Sequence, residues 1–246
     1  MLSLWYSRQF YKKVVKKMNN MNHSVAEASG LNRFYSKVYL FFAAGLGLSS
    51  VASYLCSTVF QYETLNFVNN FPLGFMGLWI IQMILVVVLG RKAKKNPSLT
   101  IAGYIVFSLL MGITLSITLM TYNVGTIVQA FAAAAVTFTG AALIGIFIKK
   151  DLSVVGRVAI IGVWGIIGVS LMNGFFFHSA GADFLLSIMT VIIFAGLTAY
   201  DNQMIRRFYR ETQGENTGVA AFVALQLYLD FMNMFLALVR IFGRND

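Results

Sequence analysis

The sequence predicts an all-α integral membrane protein with seven transmembrane helices, and composition, apolar runs and charge placement all support this fold class. Of the 246 residues, 58% are hydrophobic and only 11% are charged, whereas a soluble domain carries about 25% charged residues. So few polar side chains cannot cover a soluble protein, so lipid must be the solvent for much of the surface. We expect one membrane domain at residues 34–246, preceded by a basic N-terminal tail at residues 1–33.

Apolar runs of about 20 residues recur along the chain, and each is long enough to cross a hydrocarbon core of ~30 Å. Pro72 opens the second run and Pro97 precedes the third, where a missing N–H is tolerated at a helix start. Asp151 and Asp183 stand where a helix N-cap would help the fifth and sixth runs. The seven runs cover about residues 36–60, 71–91, 99–121, 124–148, 153–177, 183–206 and 218–242.

Basic residues alternate between the loops in the way that membrane topology requires. They precede the first run and follow the second, fourth and sixth, whereas the loops at 61–70, 122–124 and 178–182 contain no Lys or Arg. The positive-inside rule therefore predicts a multi-pass protein of the cell membrane with a cytoplasmic N-terminus. Arg240 and Arg244 break the pattern if the last run crosses fully, so the side of the C-terminus stays open. The formal charge of +10 has this topological origin, and without a basic face or an aromatic platform we expect no nucleic-acid partner.

The basic N-terminal tail, residues 1–33, allows three interpretations. It is an interfacial amphipathic helix on anionic lipid, a disordered basic tail, or an artefact of start-site choice, because Met18 and Met21 are alternative starts. The sequence favours the tail or the artefact over the functional helix.

Two aspartates lie inside the last two apolar runs, where a membrane span ordinarily carries none. Asp201 is near the end of one run and Asp230 is in the middle of the other. A carboxylate at membrane depth costs ~3 kcal/mol or more, so such a residue is by default a candidate for function. In an antiparallel helical hairpin, residues equally far from the turn lie opposite each other. A turn near residue 215 would therefore bring the two carboxyls together.

Polar side chains extend from each aspartate along one side of its helix. At about 100° per residue, each set falls within a narrow stripe. Facing stripes on neighbouring helices predict either a hydrated seam or a satisfied polar network. The last helix contributes Gln226, Asp230, Asn233 and Arg240, and the preceding helix contributes Ser187, Thr190, Thr198 and Asp201.

The chemistry expected of the pair follows from burial. Two carboxylates that share a poorly hydrated site cannot both ionise cheaply, so they hold a proton between them and titrate as a unit. Their protonation would then be coupled to helix packing, which makes a pH switch. When ionised, Asp201 and Asp230 are also hard oxygen ligands that suit Ca²⁺. The structural alternative is a proton-sharing pair that only pins two helices together.

Glycines in the fourth and fifth runs indicate close helix approach. They are Gly140, Gly145, Gly162, Gly165 and Gly168.

Three segments resemble the Bax inhibitor-1 family, namely KKDLS at 149–153, GLTAYDNQMI at 196–205 and LQLYLDFMNMFLALVRIFG at 225–243. The resemblance covers about residues 34–244. It implies a seven-helix fold with the C-terminal helix at its centre, a di-aspartyl pH sensor at Asp201 and Asp230, and a pH-dependent Ca²⁺ leak. It also implies that Arg91, at the cytoplasmic end of the second helix, is the counter-ion and gate of the acid pair. Some relatives carry a carboxylate within that helix, where this chain has only Gln82.

The leading hypothesis is therefore a Ca²⁺ leak protein with no cofactor, in which Ca²⁺ and H⁺ are the ions handled. The alternative is a membrane interaction protein that modulates a membrane-anchored protease, as the resemblance implies for some bacterial relatives. An intramembrane aspartyl protease is less favoured, because those enzymes surround the second aspartate with a GxGD motif and this chain has LYLDF around Asp230. We do not expect an enzyme.

Overall fold

The computed structural model describes residues 2–245, with side chains described for residues 27–244 other than 72 and 75. Residues 2–245 form helices and no strands, which confirms the all-α fold class. A π-helical turn, Asn173–Phe177, extends the sixth helix, and a 3-10 turn, Gly243–Asn245, follows the last. The α-helices are α1 (Leu2–Ser57), α2 (Gln61–Asn70), α3 (Pro72–Lys92), α4 (Pro97–Met120), α5 (Val124–Phe147), α6 (Ser153–Met172), α7 (Ala180–Thr212) and α8 (Thr217–Phe242).

Six helical segments of the described chain are long and apolar enough to cross a membrane. They are the part of α1 that begins at Glu27, then α4, α5, α6 with its π-helical turn, α7 and α8. The second predicted span coincides with α3, but the stretch of α3 with described side chains is shorter than the other six. The multi-pass prediction is therefore confirmed, whereas the count of seven is not.

The predicted boundary between tail and membrane domain, at residues 33 and 34, falls within α1. Phe34 is buried on this helix, one turn before Val38. However, Glu27 and Gly30, ahead of the predicted boundary, already lie against Tyr209 of α7. The side chains of residues 1–26 lie outside the described residues. The three interpretations of the basic tail, and a contact of that tail with a protease, stay predictions.

The basic loops gather at one end of the helices. Lys94, between α3 and α4, forms an ion pair of 2.7 Å with Glu211 near the end of α7, and its carbonyl accepts a hydrogen bond from Asn216. The side chain of Gln203 on α7 donates to the carbonyl of Lys150, between α5 and α6. The three connections therefore lie at the same end, as the alternation of charge requires.

The helix starts follow the capping chemistry of short polar side chains. Asn96 accepts a hydrogen bond from the backbone N–H of Leu99 at the start of α4, and Asn216 accepts one from Val219 at the start of α8. At the start of α7 the cap is Ser179, so the prediction for Asp183 is wrong.

Asp183 and Asp151 serve their helices in another way. Asp183 lies in the first turn of α7, where its carboxylate accepts a hydrogen bond of 2.7 Å from Asn173, and a negative charge there also complements the helix dipole. Asp151 precedes the cap position of α6 by one residue, and its Oδ1 accepts hydrogen bonds from the hydroxyl and the backbone N–H of Ser153. These two donors lower the pKa of Asp151.

The C-terminal helix is the centre of the bundle, as the resemblance implied. In the most apolar window of α8, 72% of the residues are buried, against 11–50% in the other five candidate spans. The helix packs against α1, α3, α4, α5 and α7. Tyr228 at its middle is fully buried, with the rings of Tyr104 and Phe107 packed edge-on at 6.1 and 6.0 Å. Polar groups at the middle of α8, such as Asp230, are therefore buried in protein, whereas Arg240 near its end is exposed.

Only two of the five predicted packing glycines make a close helix contact. A Cβ at Gly145 would overlap the backbone carbonyl of Ala199 on α7, and one at Gly162 would meet Ile193. The prediction is wrong for the remaining three, because a Cβ there would meet nothing within 4 Å. These three are Gly140, Gly165 and Gly168.

Gly145→Ala is expected to lower the free energy of unfolding by about 1–3 kcal/mol, the usual cost of overpacking. The obstacle is backbone, which cannot swing aside as a flexible side chain can. Apparent melting temperatures in detergent would measure the loss, with Gly140→Ala as the matched control in the same helix. Equal melting temperatures for the two variants would contradict this account of the α5–α7 contact.

Candidate functional site

The structure places Asp201 of α7 and Asp230 of α8 together. The two helices are an antiparallel pair, and the turn between them reverses at Gln213 and Gly214, both with positive φ. Asp201 is 8% exposed and Asp230 is 4% exposed, and their carboxyl groups are close enough to act on each other electrostatically. The turn therefore lies near residue 215, as predicted from the sequence for a hairpin that pairs Asp201 with Asp230. A pair of acids is thus held between the central helix and its neighbour.

The Asp230 carboxyl lacks part of its possible hydrogen bonding. The hydroxyl of Thr198 on α7 lies near it and donates at 2.8 Å to the carbonyl of Phe194 in its own helix. The Oδ2 atom of Asp230 is buried and has no hydrogen-bond partner among the described residues. An unpaired buried oxygen is costly, and such groups in native proteins usually bind a proton, a water or an ion. This oxygen is therefore the position at the site where a proton, a water or an ion would bind.

The first helix fixes the backbone of α7 beside Asp201. Asn202 is fully buried, and its Oδ1 atom accepts a hydrogen bond of 2.6 Å from the hydroxyl of Tyr39. The hydroxyl of Tyr35 donates to the carbonyl of Asn202 at 3.2 Å, and the Asn202 side chain donates to the carbonyl of Thr198. Sequence reasoning missed these three residues. The signals available were the Asp-Asn pair in an apolar run and two tyrosines one helical turn apart.

The two polar stripes meet at two levels. Towards the loop between α7 and α8, Thr198 contacts Asp230. Towards the opposite end, the Nε atom of Arg240 donates to the hydroxyl of Ser187 at 3.2 Å. Asn233, in contrast, donates to the carbonyl of Leu229 in its own helix. Gln226 is half-buried, while Thr190 is buried and bonds to its own helix. In this conformation most of these side chains bond within their own helix, and the hydrogen bond from Arg240 to Ser187 joins the two stripes.

Arg91 lies at the end of α3, where its side chain is exposed. The ion pairs among the described residues join Lys94 to Glu211 at 2.7 Å and Arg210 to Glu27 at 3.9 Å, and all four side chains are largely exposed. No described cation therefore pairs with either aspartate, and the structure does not bring Arg91 to the acid pair.

A second arginine, Arg206, contacts one of the residues that hold α7 in place beside Asp201. Arg206, on α7, is half-buried and donates through Nη2 to the carbonyl of Ile146 at the end of α5. It also contacts the hydroxyl of Tyr35, the residue that bonds the Asn202 backbone. Its Nε atom is buried without a partner among the described residues. Arg206 thus ties three helices together beside the pair.

The acid pair offers too few ligands to enclose a metal ion. Within the described chain, no group of three or more His, Cys, Asp and Glu side chains could hold one. Two carboxylates supply at most four oxygens, whereas Ca²⁺ takes six to eight. Any Ca²⁺ ion held by these two side chains alone would keep much of its water shell.

Comparison with known proteins adds an independent finding. Residues 31–246 match a protein-family model described as "Inhibitor of apoptosis-promoting Bax1". An uncharacterized membrane protein of Streptococcus pyogenes serotype M1 is 39% identical over 88% of this chain and 95% of its own length. YrjE of Lactococcus lactis, also uncharacterized, is 40% identical over 92% of this chain and 97% of its own length. The inner membrane protein YbhL of Escherichia coli is 33% identical over 90% and 95%.

Proposed function

The chain belongs to the Bax inhibitor-1 family, and on this premise we propose that it is a pH-sensitive Ca²⁺ leak pathway gated by Asp201 and Asp230. The observation that carries the proposal is that two buried carboxyls lie near each other on α7 and α8, with no described cation paired to either. We place the N-terminus in the cytoplasm, because the basic loops share one end of the bundle. Asp201 then lies in the cytoplasmic half of α7, and Asp230 lies at the middle of α8.

The proposed mechanism rests on the cost of ionising both acids. Two like charges within about 4 Å of each other in a poorly hydrated site would repel by several kcal/mol. A shared proton removes that repulsion and lets α7 and α8 stay closely packed. Loss of this proton would loosen the contact and create an oxygen site for Ca²⁺. Protons and Ca²⁺ then compete for the pair, so Ca²⁺ affinity falls as the pH falls.

We further propose that Arg91 acts after a movement of α3, because its exposed guanidinium does not reach the pair in this conformation. Pairing with the acids would close the cytoplasmic mouth. Arg91→Gln is then expected to raise Ca²⁺ flux by up to about fivefold, the equivalent of an ion pair worth about 1 kcal/mol. Lys92→Gln, the neighbouring exposed cation, is the matched control in the same liposome flux assay. Equal flux in the two variants would contradict a gating role for Arg91.

The function itself is tested by Ca²⁺ uptake into liposomes that contain the purified wild-type protein and a fluorescent Ca²⁺ indicator. We expect uptake above that of protein-free liposomes, with a change of about tenfold between about pH 6 and about pH 8, since one titrating proton changes occupancy by up to about tenfold per pH unit. Uptake equal to that of protein-free liposomes at every pH would refute the proposal. Uptake that is high but independent of pH would refute the gating part of it.

A further inference from the structure

A large cavity lies on the other side of α8 from the acid pair. It has a volume of about 710 Å³, is lined mainly by α1, α4, α5 and α8, and is open on one side. This volume is within the range of about 300–1,000 Å³ that is typical of small-molecule sites. Neither Asp201 nor Asp230 lines it. The ends of α1 and α4 and the start of α5 surround its mouth, at the end of the bundle opposite to the basic loops.

One wall of the cavity carries hydroxyl groups from α1. Ser49, Ser53 and Ser57 follow one another at intervals of four residues and all face the cavity. Ser49 bonds to the carbonyls of Gly45 and Ser108, as a helical serine ordinarily does with nearby backbone. Ser53 is different. It is 3% exposed, and its Oγ atom is buried without a hydrogen-bond partner among the described residues.

The unpartnered hydroxyl of Ser53 indicates a missing hydrogen-bonding group. A buried polar atom in a native protein nearly always has a partner, and leaving one unpaired is costly. Since Ser53 lines the cavity, the partner is best supplied by whatever occupies it. The occupant therefore presents at least one hydroxyl or carbonyl group to α1.

The other residues that line the cavity indicate that the rest of the ligand is apolar and uncharged. Phe131 packs edge-on against Phe231 at 5.5 Å and against Phe235 at 6.0 Å, and all three rings line the cavity. None of the described residues that line it is charged. A buried ionic head group would have no counter-ion there and would be excluded by its desolvation cost. At the mouth, Thr58 and Gln61 supply further uncharged hydrogen-bonding groups.

From these observations we propose that the cavity binds one uncharged amphiphile of the monoacylglycerol class. The head-group hydroxyls bond to Ser53, and the acyl chain lies against the three phenylalanine rings. The lipid bilayer is the source of such a molecule. This site is separate from the proposed leak pathway and stands whether or not the protein conducts Ca²⁺.

The experiment uses the full-length protein in detergent micelles with a monoacylglycerol that carries a photoreactive diazirine on its acyl chain. Mass spectrometry then maps the cross-linked residues. We expect labels on cavity-facing residues of α1, α4, α5 or α8. Val128→Trp, which fills the cavity from α5, should reduce labelling at least about fivefold. The matched control is Val136→Trp on the same helix, because Val128 is 61% exposed and Val136 75% exposed but only Val128 lines the cavity.

Two further arms test the hydrogen bond and the absence of charge. Ser53→Ala keeps the shape of the wall, and loss of one hydrogen bond should reduce labelling by about two- to fivefold. A probe with the same chain and a phosphate head group should label the cavity at least about fivefold less than the glycerol probe. Labelling that is unchanged by Val128→Trp and by Ser53→Ala, or that is equal for the two probes, would overturn the proposal.

Discussion

Replacing both Asp201 and Asp230 by asparagine is expected to abolish the pH dependence of Ca²⁺ flux. Asparagine has nearly the same shape as aspartate and can keep the contact with Thr198, but it neither ionises nor binds a proton. In the wild type, flux should be about tenfold higher at about pH 8 than at about pH 6, because loss of the shared proton creates the Ca²⁺ site; in the double variant this ratio should fall below about twofold. The liposome uptake assay measures this ratio directly.

The two single variants, and a control variant of an aspartate outside the pair, make this test more specific. Either Asp201→Asn or Asp230→Asn leaves one carboxyl, which no longer shares a proton with a neighbour, so each single variant should also lose the wild-type pH profile. Asp183→Asn is the control, because Asp183 is an exposed acid that bonds Asn173 and lies at the opposite end of α7. If a single variant kept the wild-type profile, the two aspartates would not act as a pair.

Tyr228→Ala is expected to produce the largest loss of stability. Tyr228 is fully buried at the middle of α8, where it contacts the rings of Tyr104 and Phe107 and shares a hydrogen bond with Ser49. Truncation of a buried aromatic side chain costs about 3–5 kcal/mol, because a cavity remains. For a chain of this size the melting temperature should fall by roughly 6–20 °C.

Two controls separate the parts of this effect. Tyr228→Phe keeps the ring and removes only the hydroxyl, so it should cost about 1 kcal/mol, since Ser49 keeps its bonds to two backbone carbonyls. Tyr62→Ala removes a side chain that is 78% exposed and should change the melting temperature little. If Tyr228→Ala were no worse than Tyr62→Ala, α8 would not be the centre of the bundle.

Much of the fold could be predicted from the sequence because the signals are local. The length of an apolar run determines a span, and Pro97 and the polar turn near residue 215 mark helix boundaries. The pairing of Asp201 with Asp230 also follows from local information, because one short turn fixes the register of an antiparallel hairpin. The central position of α8 came only from the resemblance, since an apolar helix looks much the same whether it faces lipid or protein.

The missed features depend on contacts between distant segments. The bonds from Tyr35 and Tyr39 to Asn202 join α1 to α7, and nothing in the local pattern specifies which helix lies beside α7. The packing glycines show the same limit, because Gly145 meets α7 while Gly140 faces open space five residues earlier. The unpartnered hydroxyl of Ser53 is visible only once its surroundings are known.

The most direct test of the account is the protonation of the acid pair, measured on the same samples as the flux. Infrared difference spectra of protein with ¹³C-labelled aspartate report protonated carboxyl groups, and comparison with Asp230→Asn assigns the band of the pair. We predict a protonated carboxyl band that disappears over the same pH range in which Ca²⁺ flux changes, that is altered in Asp230→Asn, and that is absent when both aspartates are replaced by asparagine. A pair that is fully ionised throughout that range, or a band that titrates where the flux is constant, would contradict the shared proton as the gate.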